Sequence, residues 1–263
     1  MEGVRSAEGQ PEWVTLLRAP NPGPMTLDGT NTWILRAPGA EHAVVIDPGP
    51  LDEGHLARIA ERGPFRSVLV THGHHDHVEG AARLSELLGG TPVLAADPRL
   101  GERLGETAGV DGIDIRVLAT PGHTRDSVCF LARSGNVRAM FSGDTILGRG
   151  TAVVAYPDGD LGDYLASLDR LTAYENVVLL PGHGPIRTDC AEVARAYLAH
   201  RRERLDQVRA AVAAGATTPE AVVDVVYADI DPAVRFAAER STRAQLDYLR
   251  RESQAGAERL DTL

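Results

Sequence analysis

The sequence predicts an α/β fold. Short β-branched runs alternate with amphipathic helical patterns, and histidines and aspartates recur where strand-like runs end, the place α/β proteins keep for ligands. The densest stretch is Val70 to Gly80, V-T-H-G-H-H-D-H-V-E-G, which packs His72, His74, His75, Asp76 and His77 into consecutive turns of chain. Three further blocks repeat the context: T-P-G-H-T with His123, F-S-G-D-T with Asp144, and L-P-G-H-G with His183. An apolar run precedes each of the three, and a glycine stands directly before each ligand-type residue, where it permits unusual backbone angles.

At 263 residues the chain has room for one large or two modest domains with a full core. Hydrophobic content of 43% and charge of 24% are those of a soluble globular protein. A net charge of −10 gives no sign of a nucleic-acid binder, and every basic residue is Arg. Cys129 and Cys190 stand far from CxxC spacing, which suggests a reducing compartment without a disulfide scaffold. The first residues lack the apolar core of a signal peptide and no long apolar run follows, so the expected location is cytoplasmic, with no membrane partner.

In chain order, residues 1–12 are polar and expected to fray, and Trp13 to Leu17 begins the apolar pattern. A Pro/Gly-rich fixed loop at 20–24 leads to strand character over Asn31 to Leu35. Ala43 to Ile46 is a buried strand ending in D-P-G, and Asp52 to Arg62 a helix with an acidic start. Ser67 to Thr71 is the strand before the histidine cluster, and Val78 to Leu88, apolar at 78, 81, 84, 87 and 88, reads as one helix after it. Pro92 to Ala95, Ile115 to Ala119, Ser127 to Leu131, Ala139 to Phe141 and Val177 to Leu180 read as strands, and Leu161 to Leu171 as a helix. Composition shifts after Cys190: an Arg-rich helix spans Val193 to Ala214, Thr218-Pro219-Glu220 caps another through Val226, and a third runs from about Ala233 to Arg251.

Imidazoles and carboxylates at this density suit a borderline cation such as Zn²⁺. The series T-H-G-H-H-D-H, G-H-T, G-D-T and G-H-G resembles the metallo-β-lactamase superfamily of metal-dependent hydrolases, over residues 71–184 with patterning to about residue 190. The resemblance implies a four-layer αβ/βα sandwich. It also implies that His72, His74 and His123 hold one metal, that Asp76, His77 and His183 hold a second, and that Asp144 bridges the two. Two Zn²⁺ per chain are expected, with Mn²⁺ or Fe²⁺ as alternatives. His75 falls on the variable position. Since β-lactamases of the superfamily usually carry Cys or Ser at the place of Asp144, the wider hydrolase branch is indicated.

Two close cations lower the pKa of a bridging water and act as Lewis acids on the developing oxyanion, and Asp76 is the expected catalytic residue that orients the hydroxide. Thr71, Thr124 and Thr145 stand beside ligands and are candidates to fix imidazole tautomers. Asn31, Arg149 and Tyr156 are candidate substrate contacts; for Arg149 and Tyr156 a surface cation and a packing ring are equally open. The run N-P-G-P…T-L-D-G-T-N-T resembles a narrower branch, the β-lactamase-like protein 2 family of endoribonucleases and bacterial relatives, and the three late helices resemble its small winged-helix-like tail. The expected domains are 1–190, catalytic, and 191–263, helical, the latter packing on the core or mediating a homodimer. Three substrates stay open: single-stranded RNA or another phosphodiester; a thioester or lactone, as in glyoxalase II, with side β-lactam cleavage; and a persulfide oxidised at a single iron.

Overall fold

The computed structural model describes residues 9–260. The expected fraying of residues 1–12 therefore lies mostly outside the described residues; within them, Trp13 is already buried. Among the described residues, ten strands form two sheets. The first orders β1 (Val14–Arg18), β2 (Asn31–Leu35), β3 (Ala43–Ile46), β4 (Phe65–Leu69), β5 (Val93–Ala95) and β6 (Glu102–Arg103), antiparallel to β3 and parallel thereafter. The second orders β10 (Val178–Pro181), β9 (Val137–Gly143), β8 (Val128–Ser134) and β7 (Asp114–Ala119), with β10 parallel to β9 and the other pairs antiparallel.

Strands buried on both faces read as continuous apolar runs, and here the alternation assigns each side chain to a layer. Trp33, Leu35, Val44, Ile46 and Leu69 face Phe130, Ala132, Ala139 and Phe141 across the middle of the molecule. Trp33 meets Phe141 edge-on, centroids 5.9 Å apart. The opposite face of the first sheet (Ile34, Val45, Val68) packs on Leu56 and Ile59 of α1 (Glu53–Ala60) and Leu84 of α3 (Ala81–Leu87). The opposite face of the second (Cys129, Met140, Leu179) packs on Leu161, Tyr164 and Leu168 of α4 (Leu161–Leu171) and Val193 and Tyr197 of α5 (Cys190–Ala213). Helices, sheet, sheet, helices: four layers, each fully buried large side chain contributing about 1.5–3 kcal/mol.

The helix expected over Val78 to Leu88 is two. A short α2 (His75–Val78) ends before Gly80, and α3 starts after it. A Cβ at Gly80 would stand 2.8 Å from Leu56 Cδ2 and 2.9 Å from the Pro50 carbonyl, while its N–H donates to the Gly49 carbonyl. The chain breaks to press α2 against the loop that follows β3. Beyond the sandwich, α6 (Pro219–Val226), capped by the Thr218 hydroxyl, and α7 (Arg235–Leu260) pack on each other and on α5. No helix among the described residues is long and apolar enough to cross a membrane.

Candidate metal centre

His72 and His74 lie in the turn after β4, Asp76 and His77 on α2, and His123, Asp144 and His183 in the turns after β7, β9 and β10. The seven converge in two groups. His72, His74, His123 and Asp144 bring one donor atom each within 4.8 Å of one another, and so do Asp76, His77 and His183. Nδ1 of His74 is 3.1 Å from Nε2 of His72 and 3.0 Å from Nε2 of His123. In the second group His77 Nε2 is 3.1 Å from His183 Nε2, which is 3.0 Å from Asp76 Oδ2. Asp144 faces both, its Oδ1 3.3 Å from His77 Nε2 and its Oδ2 3.8 Å from His123 Nε2. His75 is exposed and joins neither.

The far side of each ring explains the near side. His77 Nδ1 lies 2.7 Å from Asp47 Oδ2, His123 Nδ1 2.5 Å from the Val153 carbonyl, His183 Nδ1 3.3 Å from the Gly29 carbonyl and His72 Nδ1 3.0 Å from Thr71 Oγ1. The Thr71 hydroxyl donates onward to Asp47 Oδ2. In these four rings Nδ1 is thereby the nitrogen that keeps its proton in the neutral, metal-ready tautomer, and their Nε2 atoms, with Nδ1 of His74, converge on shared points. Lone pairs 3 Å apart repel unless a cation sits between them, and the buried Asp144 Oδ1 has no hydrogen-bond partner. The donor set fits two divalent cations.

Electrostatics agree. Burial, reinforced by the His77 and His123 rings, holds His72 well below the usual imidazole range, and burial brings His123 down to about 4; both stay neutral ligands. Burial opposes charge at His77 too, yet the carboxylates of Asp144, Asp76 and Asp47 raise it well above that range. Asp76 falls to about 2 despite its burial, because His77 and His183 favour the carboxylate. Three carboxylates focus negative potential on one spot.

Asp47 is the residue that sequence reasoning missed. It ends β3 with a left-handed φ of 51° and takes the Thr71 N–H as well as the Thr71 hydroxyl and His77. The signal was present in the D-P-G that closes the Ala43–Ile46 run. Of the three threonines expected to orient rings only Thr71 does so. Thr124 instead bonds Ser127 and Asp126, and Thr145 bonds Thr120, since both hydroxyls point into their own turns.

The expected substrate contacts separate. Asn31 is fully buried, and its amide donates to the Pro181 and Gly184 carbonyls, stitching the first sheet to the His183 loop; it has no free group to offer a substrate. Arg149 lines a chamber of ≈ 270 Å³ that opens on His123 and Asp144, but its guanidinium grips Asp28 at 2.6 and 2.9 Å. Tyr156 lines a different, more polar groove of ≈ 710 Å³ that reaches the centre past His74. Over the ligands sit Met25, Phe236 and Arg240, the last two from α7.

A His/Asp centre at the rim between two sheets, inside an αβ/βα sandwich, defines a class of divalent-metal proteins. The chain belongs to the metallo-beta-lactamase superfamily, whose family model matches residues 25–98 and 87–183; the model of the beta-lactamase associated winged helix domain matches residues 218–259. It is 32% identical to a beta-lactamase-like protein 2 homolog of Caenorhabditis elegans, over 94% of this chain and 87% of that one. It is equally, 32%, identical to an atrochrysone carboxyl ACP thioesterase of Aspergillus fumigatus, over 82% of this chain and 74% of the other. A beta-lactamase domain protein from Burkholderia ambifaria shares the fold, with a TM-score of 0.78 at 24% identity over 95% of this chain and 88% of that one.

Proposed function

We propose that the chain is a metal-dependent hydrolase of acyl substrates, thioesters or esters, working with two divalent cations, zinc being the expected pair. The convergence of seven donors, four of the five histidines with their outer nitrogens already committed, carries this reading. Two such cations would supply Lewis acidity and a water of lowered pKa. His72, His74 and His123 would hold one, Asp76, His77 and His183 the other, with Asp144 between them. Asp76 does more than bind. Its side chain keeps 27% exposure, against 11% for Asp144, so it is the ligand carboxylate that faces the cleft and can orient an attacking water and take its proton.

The chamber favours an acyl group over a polymer. Met25, Leu27, Leu147, Val153, Ile230 and Val234 give it apolar walls, the usual lining of a small-molecule site, and a net charge of −10 repels polyanions. The name of the Aspergillus relative, an acyl-carrier thioesterase, points the same way. A second reading, hydrolysis of single-stranded RNA, draws on the groove past His74, where Arg99, Arg125 and Arg240 stand with Tyr156. Metal analysis beside a panel of acyl thioesters, S-lactoylglutathione, labelled single-stranded RNA and nitrocefin separates these. The expected result is two zincs per chain with thioester cleavage. RNA cleavage alone would install the second reading, and one iron per chain without hydrolysis would overturn both.

A further inference from the structure

The chamber contains a cation that the chemistry at the metal centre does not use. Arg201, on α5, is 4% exposed and lines the same chamber as His123 and Asp144. Its Nη2 donates to the Ala152 carbonyl and its guanidinium carbon lies 5.2 Å over the ring of Tyr164. Its Nε is buried with no hydrogen-bond partner, and among the described residues no carboxylate forms an ion pair with it. A buried charge without a counter-ion is costly and is retained where something pairs with it.

Ser241 of α7 lines the chamber, and on the same helix, outside that lining, Thr242 and Gln245 leave Oγ1, Nε2 and Oε1 buried and unpartnered. Apart from His123 and Asp144 of the metal centre, the other basic side chains of the wall are accounted for. Arg149 is neutralised by Asp28, and burial with the nearby Arg201 and Arg204 charges keeps the ring of His200 toward its neutral form. Arg201 is the cation left for a ligand.

We propose that Arg201 binds an anionic oxygen carried on the acyl half of the substrate, so that the chamber selects acyl groups bearing a carboxylate or an equivalent enolate oxygen over plain alkanoyl groups. The inference rests on the reading of the site as an acyl hydrolase and adds the substrate class. Apolar walls receive the carbon skeleton, the metal ligands face the scissile carbonyl, and the guanidinium takes the distal charge through a charge-assisted hydrogen bond.

Calorimetric titration of the zinc-loaded protein tests it. Succinate, glutarate, adipate and pimelate are each compared with the monocarboxylate of equal chain length, so that a carboxylate held by the metals cancels. At the best length the diacid should bind about tenfold or more tightly. Arg201→Met should abolish that gap and Arg201→Lys should keep part of it. Should Arg201→Met fail to fold, Arg201→Gln, which keeps a donor for the Ala152 carbonyl but no charge, should likewise lose the gap. Equal binding of diacid and monoacid by the unmodified protein, or a gap that survives in Arg201→Met, overturns the proposal. Turnover of adipoyl and hexanoyl thioesters separates the two levels. Diacid selectivity without thioester cleavage supports the Arg201 site and removes the hydrolase reading, and cleavage without selectivity does the reverse.

Discussion

Asp47 Oδ2 stands 2.7 Å from His77 Nδ1 and 2.7 Å from the Thr71 hydroxyl, which in turn meets His72 Nδ1 at 3.0 Å. One carboxylate thus sets the proton on a histidine of each ligand group. Asp47→Asn keeps a residue that tolerates the left-handed backbone at φ 51° and removes the charge. Zinc affinity should fall about 10–100-fold, read by competition with a chromophoric chelator, while the melting profile stays cooperative. Unchanged affinity would show that the ring orientations survive without it.

Asp76→Ala should lose turnover by roughly 10²–10⁴-fold while keeping its fold, because a carboxylate with 27% of its side chain exposed is not a packing element. Steady-state rates beside far-ultraviolet circular dichroism check both halves of the statement. Full activity would remove Asp76 from the chemistry.

Gly182 guards the space between the ligand groups. A Cβ there would lie 2.6 Å from Asp144 Oδ1 and 2.6 Å from His77 Cε1. Gly182→Ala should therefore lower zinc content and activity together, at a folding cost of about 1–3 kcal/mol. Metal analysis of the purified variant tells this from a simple loss of stability, since full zinc occupancy would contradict it.

His55 supplies a pH dependence away from the centre. Its Nδ1 accepts from Arg58 and its Nε2 donates to Thr32, whose hydroxyl reaches the Asp47 carbonyl. Burial and the Arg58 charge lower its pKa to about 4, from an ordinary 6.5. The folded state thus resists a proton that the unfolded chain accepts. The contribution is complete above pH 6.5 and is lost as pH falls toward 4. Urea midpoints at neutral and mildly acid pH should converge for His55→Gln relative to the unmodified chain. An identical acid loss in both would assign the effect to other groups.

What the sequence made legible followed from range. His72, His74, Asp76 and His77 are close neighbours in a turn, so their spacing alone exposes a ligand pattern, and His123, Asp144 and His183 repeat its strand-end setting. Asp47 was hidden because its partners Thr71 and His77 lie 24 and 30 residues away. Apolar spacing could not show the break between α2 and α3, since Gly80 is demanded by Leu56 and Pro50, contacts that exist only after folding. Glycine before a ligand was read as freedom of angle. That holds for Gly122 at φ 139° and Gly143 at φ 48°, whereas Gly182 is needed for its missing side chain. Asn31 illustrates the opposite error, a polar residue beside the cleft whose amide is consumed by carbonyls some 150 residues distant in sequence.

The division of the ligands between the sheets reaches further than geometry. Each group draws on both halves of the chain: His72 and His74 need His123 and Asp144, and Asp76 and His77 need His183. Neither half brings either donor group together by itself. A nascent chain that has emerged only through β6 holds no complete donor group, and the second group is complete only when the turn after β10 delivers His183. The centre is thus a product of long-range folding, brought together only once both sheets have met.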